Sequence, residues 1–326
     1  MEALNWTARR IAQTPSLVSI GCGMLLIVWQ LTNGYVPQWA QWLVVVLLLF
    51  GIGIPHGAID HLIDEETARR TNRGYSIGAF VVKYLLTMGL YGLLWYFFPT
   101  ASLLIFLLIS AWHFGETDIE HVPLTLPWTV VRFGWGYWVL SFLLLTHPTD
   151  VTPILARLTQ GSPAPMQVWA WCVAHTALWL GGGLAAIAGL FGLAQQTRRC
   201  LVDGRRLVRL GCLLLLTWPL PLLVAFALYF GGWHALSSFQ TIYHYLKNRP
   251  QNPLSARQVW FRSLPFTAIA LLGLLLTGSW WYLYAQTWDP LPLLFLFLSL
   301  ITLPHLNVMH GMNSRTQPHD PTIISR

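Results

Sequence analysis

Gly51-Ile-Gly-Ile-Pro-His-Gly-Ala-Ile-Asp-His-Leu-Ile-Asp64 is where a long apolar run ends in two histidines and a carboxylate, and the rest of the chain is organised around it. Ionisable side chains at the edge of hydrocarbon are costly, so His56, Asp60 and His61 are candidates for function rather than filling. Pro55 either breaks the preceding helix or opens a new one at its first turn, and Gly57 lets backbone or a ligand come close. If a helix continues through the stretch, His56 and Asp60 lie four apart on one face and His61 is turned away from it.

Outward from this stretch, apolar runs recur along the whole chain. Its 326 residues are 55% hydrophobic and 10% charged, with 18 tryptophans, against the roughly 25% charge of a soluble domain. That composition predicts an all-α, polytopic transmembrane helix bundle, a single membrane domain over residues 1–326. The charge of +7 then reflects topology and not a nucleic-acid partner. Cys22, Cys172, Cys200 and Cys212 form no C-x-x-C pair, so neither a disulfide framework nor a zinc ribbon is expected. No cleavable signal is expected either, because residues 1–16 are polar and carry Arg9 and Arg10.

Windows of about 19 residues place spans at 16–32, 37–54, 76–98, 100–115, 128–147, 166–194, 207–219, 221–246, 259–285 and 290–312. The seventh is short and followed by Pro219-Leu-Pro221, so 207–246 also reads as one span plus a broken segment, which makes eight to ten spans in all. Loop charge supports an even count with both termini cytoplasmic in a cell membrane. Inside segments hold Arg69, Arg70 and Arg73, then Arg198, Arg199, Arg205 and Arg206, then Lys247, Arg249 and Arg257, and finally Arg315 and Arg326; the outside loops hold only Arg157.

On that map His56, His113, His244 and His305 fall in the cytoplasmic half and His234 near mid-span. Imidazoles brought to similar depth by spans far apart in sequence are what a metal site in a bundle core needs. His147 reads as interfacial, His121 as a loop residue, and His175 as lying apart in the outer half. Ser110-Ala-Trp-His-Phe-Gly-Glu-Thr-Asp118 follows its histidine with two carboxylates, and ligating imidazoles usually donate their second N–H to such a group. Glu116 and Asp118 are therefore candidate partners of His113, as Asp60 is for the His56 region. In Tyr229-Phe-Gly-Gly-Trp-His234 the paired glycines permit close helix approach, and Leu303-Pro-His305 repeats the Pro-His pairing of 55–56.

These motifs, Gly53 to His61, Ser110 to Gly115, Tyr229 to His234 and Leu303 to His305, resemble the Brp/Blh family of membrane β-carotene 15,15′-dioxygenases over residues 40 to 310. The resemblance implies cleavage of β-carotene, or a similar carotenoid, by O₂ at the central double bond to give retinal, with Fe(II) held by histidines. It also implies the lipid bilayer and a retinal-binding rhodopsin as partners. Carried over by motif, His56, His113 and His234 are the metal ligands. The family has a further histidine one turn after the last of these, where this chain has Ser238, and a hydroxyl is a poorer iron ligand. Three completions stay open: His61, His305 or His244 joins the site; three ligands and water suffice; or the chemistry has been lost. The last would make the chain a non-enzymatic retinal-binding or rhodopsin-biogenesis accessory protein. The repeated H-x-x-x-H boxes of membrane desaturases are absent.

Overall fold

The computed structural model describes residues 2–120, 122–197, 199–247, 254–284 and 291–316, and side-chain surroundings from residue 17 to 313 within them. His121, Arg198, Arg249, Arg326 and the side chains of Arg9, Arg10 and Arg315 lie outside that description. Among the described residues every regular element is helical. In chain order these are α1 (Glu2–Asn33), α2 (Gln38–Arg70), α3 (Ile77–Phe97), α4 (Pro99–Asp118), α5 (Leu126–Leu145) and α6 (Pro148–Leu158), then α7 (Pro163–Ala174), α8 (Leu178–Thr197), α9 (Gly204–Thr217), α10 (Leu222–Lys247), α11 (Ala256–Tyr284) and α12 (Leu291–Thr316).

Eight of them, α2 to α5, α8 and α10 to α12, are long and apolar enough to cross a bilayer, so the chain is a polytopic membrane protein. The count sits at the low end of the expected range for two reasons. The span expected over 16–32 is matched by the apolar stretch Leu17–Asn33 of α1, a shorter apolar helix, while the one expected over 166–194 is broken at His175 and persists as α8. Helix α9, with 14 residues, is about 21 Å long against a hydrocarbon core of about 30 Å.

Helix α10 is central, with 72% of its apolar window buried, whereas α3 at the rim has 6%. Small residues put it there. A Cβ on Gly231 would lie 2.2 Å from the Leu48 carbonyl oxygen of α2, and one on Gly232 would lie 2.6 Å from Ser19 Oγ of α1. Without hydrophobic drive between helices in lipid, such close backbone approach is what holds neighbours together. Both α2 and α10 also contain a π-helical stretch, Val45–Gly53 and Ala227–Ala235. The wider turns shift the facing of later residues on the helix, and they recur at functional sites.

Helices α4 and α5 are closer still: a Cβ on Gly115 would sit 1.9 Å from the Arg132 carbonyl oxygen, and one on Gly136 the same distance from that of Ala111. Buried Arg132 reaches back to the end of α4, donating at 3.2 Å to the oxygen of its C-cap Ile119, a carbonyl that a helix end leaves unpaired, and at 3.1 Å to that of Val122 in the following loop. At the same end Arg70 of α2 donates to the Tyr245 carbonyl at 2.8 Å and lies 4.0 Å over its ring.

His147, expected at the interface, stands just past the end of the span α5. It is buried at the α5–α6 junction, with Nδ1 2.8 Å from the Leu143 oxygen and Nε2 2.9 Å from that of Leu220. Pro148 opens α6 there; one ring nitrogen meets the Leu143 carbonyl at the end of α5, and the other ties this junction to the segment before α10.

Candidate metal centre

Four helices each deliver one buried histidine to a common point: His56 from α2, His113 from α4, His234 from α10 and His305 from α12. Two of them lie at or just past π-helical stretches, and His305 follows Pro304 inside α12. The rings form a closed circuit. Centroids are 5.0 Å apart for His56 and His305, 5.0 Å for His305 and His113, 4.6 Å for His113 and His234, and 5.6 Å for His234 and His56.

The nitrogens are arranged so that their free lone pairs face inward. His56 Nδ1 is engaged by the Gly53 carbonyl and His305 Nδ1 by Asp60 Oδ1 at 2.8 Å, which leaves both Nε2 atoms buried without a hydrogen-bond partner. His113 Nε2 and His234 Nε2 face each other at 3.1 Å. Imidazole nitrogens bound at about 2.1 Å and at a right angle on one ion stand about 3.0 Å apart. His56, His113 and His305 form the group in which each offers a nitrogen within 4.8 Å of the others', and His234 joins it through its nitrogen approach to His113. Buried polar atoms are normally paired, and a cation shared among these nitrogens is the group that would pair them. The site fits a metal, and an all-imidazole donor set suits iron, zinc or copper.

Of the further histidines, the structure brings His305 to His56 and His113 and leaves His61 and His244 outside the cluster. His61 stacks on Phe266, centroids 4.5 Å apart, with Nδ1 on the Ala58 oxygen; His244 is exposed beside Tyr243. Ser238 is buried with its hydroxyl unpartnered, one turn beyond His234.

The carboxylates do other work than the sequence suggests. Helix α2 is interrupted by a turn at Ala58–Ile59, which removes the i, i+4 relation, and Asp60 serves His305 in place of His56. Its other oxygen accepts from the Tyr84 hydroxyl at 3.1 Å. Asp118 does not touch His113: it accepts from the indole N–H of Trp233 at 2.8 Å, that of Trp135 at 3.2 Å and the hydroxyl of Tyr229 at 3.2 Å. Glu116 faces His310 at 3.5 Å. Asp118 instead ties α4 and α5 to the π-helical turn that carries His234.

Asp118→Ala would leave three buried donors unpaired at about 1–3 kcal/mol each. It is expected to lower the unfolding midpoint of the purified protein by several degrees and to weaken metal binding with it. An unchanged midpoint would remove Asp118 from this role.

A largely apolar cavity of 410 Å³ begins at His56, His113 and His305. Phe114 and Phe230 pack on His234 with centroids 4.9 Å and 5.6 Å away, so the site is walled by aromatic rings on the α10 side. Sequence reasoning missed Tyr84, one of three tyrosines in the rim helix α3; its signal was a hydroxyl inside an apolar span, shared with Tyr91 and Tyr96.

A family described as "Beta-carotene 15,15'-dioxygenase" matches residues 43–313. A protein of that name from the uncultured marine bacterium 66A03 is 29% identical over 272 residues, covering 82% of this chain and 91% of its own. "Probable beta-carotene 15,15'-dioxygenase Blh" of Halobacterium salinarum is 26% identical over 337 residues, covering 95% of this chain and 91% of its own. No solved structure matches.

Proposed function

We propose, because this chain belongs to the β-carotene 15,15′-dioxygenase family, that it splits β-carotene at an iron held by His56, His113, His234 and His305. β-Carotene and O₂ give two retinals, one C=C bond being exchanged for two C=O bonds. Iron(II) supplies the redox chemistry by which O₂ reacts with an alkene. The protein's part is to hold, orient and exclude. The Gly53 carbonyl and Asp60 turn two imidazoles so that Nε2 faces the centre, and Tyr84 braces the carboxylate. Phe114 and Phe230 keep water from the imidazoles and offer apolar surface to a polyene. A hydrocarbon substrate partitions into the bilayer, and the cell membrane, with both termini on the cytoplasmic side by the positive-inside rule, is the compartment this reading assigns.

The observation that carries it is the ring of four buried imidazoles at the foot of an apolar cavity. Expression in β-carotene-producing cells is expected to bleach them and yield retinal, and the purified protein to carry one iron. Folded protein without iron and without retinal would overturn the reading and favour an accessory role, for which both relatives' dioxygenase names give no support.

Asp60→Asn tests the ligand role of His305. Loss of an outer partner of a ligating histidine costs about 10–100-fold in metal affinity. A shift of that size in an iron or zinc titration of the apo-protein is expected, with unfolding otherwise cooperative. Unchanged affinity would take His305 out of the ligand set.

A further inference from the structure

The cavity at the imidazoles has two unlike limbs. One follows a face of α4 marked by Leu103, Phe106, Leu107, Ser110 and His113, spaced at helical period, and the rise from Leu103 to His113 is about 15 Å. Its far end lies against α6 and the start of α10, where Val151 is 2% exposed, Ile154 4% and Leu222 4%, with Leu103 at 8% beside them. That limb is closed. The other passes between α3 and α11, where the cavity-lining residues Leu85 and Ile269 are 59% and 65% exposed. Helices α3 and α11 make no extended contact with each other among the described residues, so this limb opens sideways into lipid.

A polyene presents one double bond after another with no polar group to anchor it. An apolar wall distinguishes neighbouring positions by only about 1–3 kcal/mol per carbon. Moving the chain from lipid into an equally apolar cavity adds little preference, since lipid tails are as apolar as leucine. A close-packed stop is different, because pushing extra carbons into a filled space is directly resisted.

From this asymmetry, and resting on the carotenoid-cleaving reading above, we infer that the closed limb is a depth gauge. The substrate slides in from the bilayer between α3 and α11, one ring-bearing arm fills the limb as far as Val151, Ile154 and Leu222, and that stop places the bond to be cut at the imidazoles. Closed depth of about 15 Å is comparable to the length of one C20 arm. Symmetry of the products then follows from the protein's geometry rather than from any preference of the metal.

The test uses an apocarotenal with one ring and one truncated arm, so that the cut is counted from the single ring. Wild type is expected to release retinal as the ring-bearing product. Ile154→Ala, which deepens the limb, is expected to release in addition a ring-bearing aldehyde one conjugated double bond longer, with iron content unchanged. Leu222→Ala serves as a second deepening variant should the first fail to fold. Ile269→Trp, which narrows the mouth, is expected to lower kcat/KM and leave the product pattern as in wild type. Retinal alone, or no cleavage, from folded, iron-bearing Ile154→Ala and Leu222→Ala overturns the gauge. Wild type that makes no retinal fails on a separate count, the carotenoid-cleaving reading itself.

Discussion

Purified His113→Ala protein is expected to contain no iron and to form no retinal, while remaining folded. His113 sits at the tightest point of the circuit, its Nε2 3.1 Å from His234 Nε2. Its ring centroid also stands within 5.0 Å of those of His234 and His305. Removing it leaves three imidazoles around a void lined by Phe114, Ser110 and Phe230, none of which replaces a nitrogen donor. The loss therefore exceeds the about 10–100-fold set by an outer partner such as Asp60. His61→Ala and His244→Ala are the matched controls, since His61 stacks on Phe266 away from the circuit and His244 is exposed; both are expected to keep full iron. Elemental analysis of detergent-purified protein reads the result. Iron at wild-type stoichiometry in His113→Ala, or its loss in His244→Ala, would break the assignment.

The second large effect falls on folding. Gly115→Val is expected to abolish the packed bundle, because its Cβ alone would lie 1.9 Å from the Arg132 carbonyl oxygen and 2.6 Å from its carbon. Backbone atoms have no rotamer to escape into, so α4 and α5 must separate. Overpacking of a core typically costs about 1–3 kcal/mol, and separation would add the Arg132 bonds to Ile119 and Val122 and the Trp135 bond to Asp118. A fall in the unfolding midpoint of about 7 °C is expected for a loss near 5 kcal/mol in a chain of this length, or no folded protein at all. Gly181→Val in α8 is the control, as nothing lies within 4 Å of its Cβ, and its midpoint is expected to stay within a degree or two of wild type. Equal behaviour of the two variants would refute the contact argument.

Much of the site is readable as composition and position. His56, His113 and His234 stand beside Pro55, Gly115 and the Gly231-Gly232 pair, and each is marked by the cost of an ionisable group in an apolar run. Asp118 misleads because adjacency along α4 suggests His113, whereas a five-residue separation points the carboxylate away from the imidazole, toward Trp135, Trp233 and Tyr229. Asp60 misleads because the turn at Ala58–Ile59 carries no sequence mark stronger than Gly57.

By itself the sequence determined the environment and the ingredients: a chain too apolar for water, helices long enough for a bilayer, and imidazoles held at similar depth. Which of His61, His244 and His305 completes the ring was decided by tertiary structure alone, as were the pairing of Asp60 with His305 and the closure of one cavity limb by α6. The reason is physical. In water the buried stripe of a helix announces itself by contrast with a polar face. In lipid the outward face is as apolar as the inward one, so helical period gives the angle between two side chains on one helix and says nothing about which faces of different helices meet.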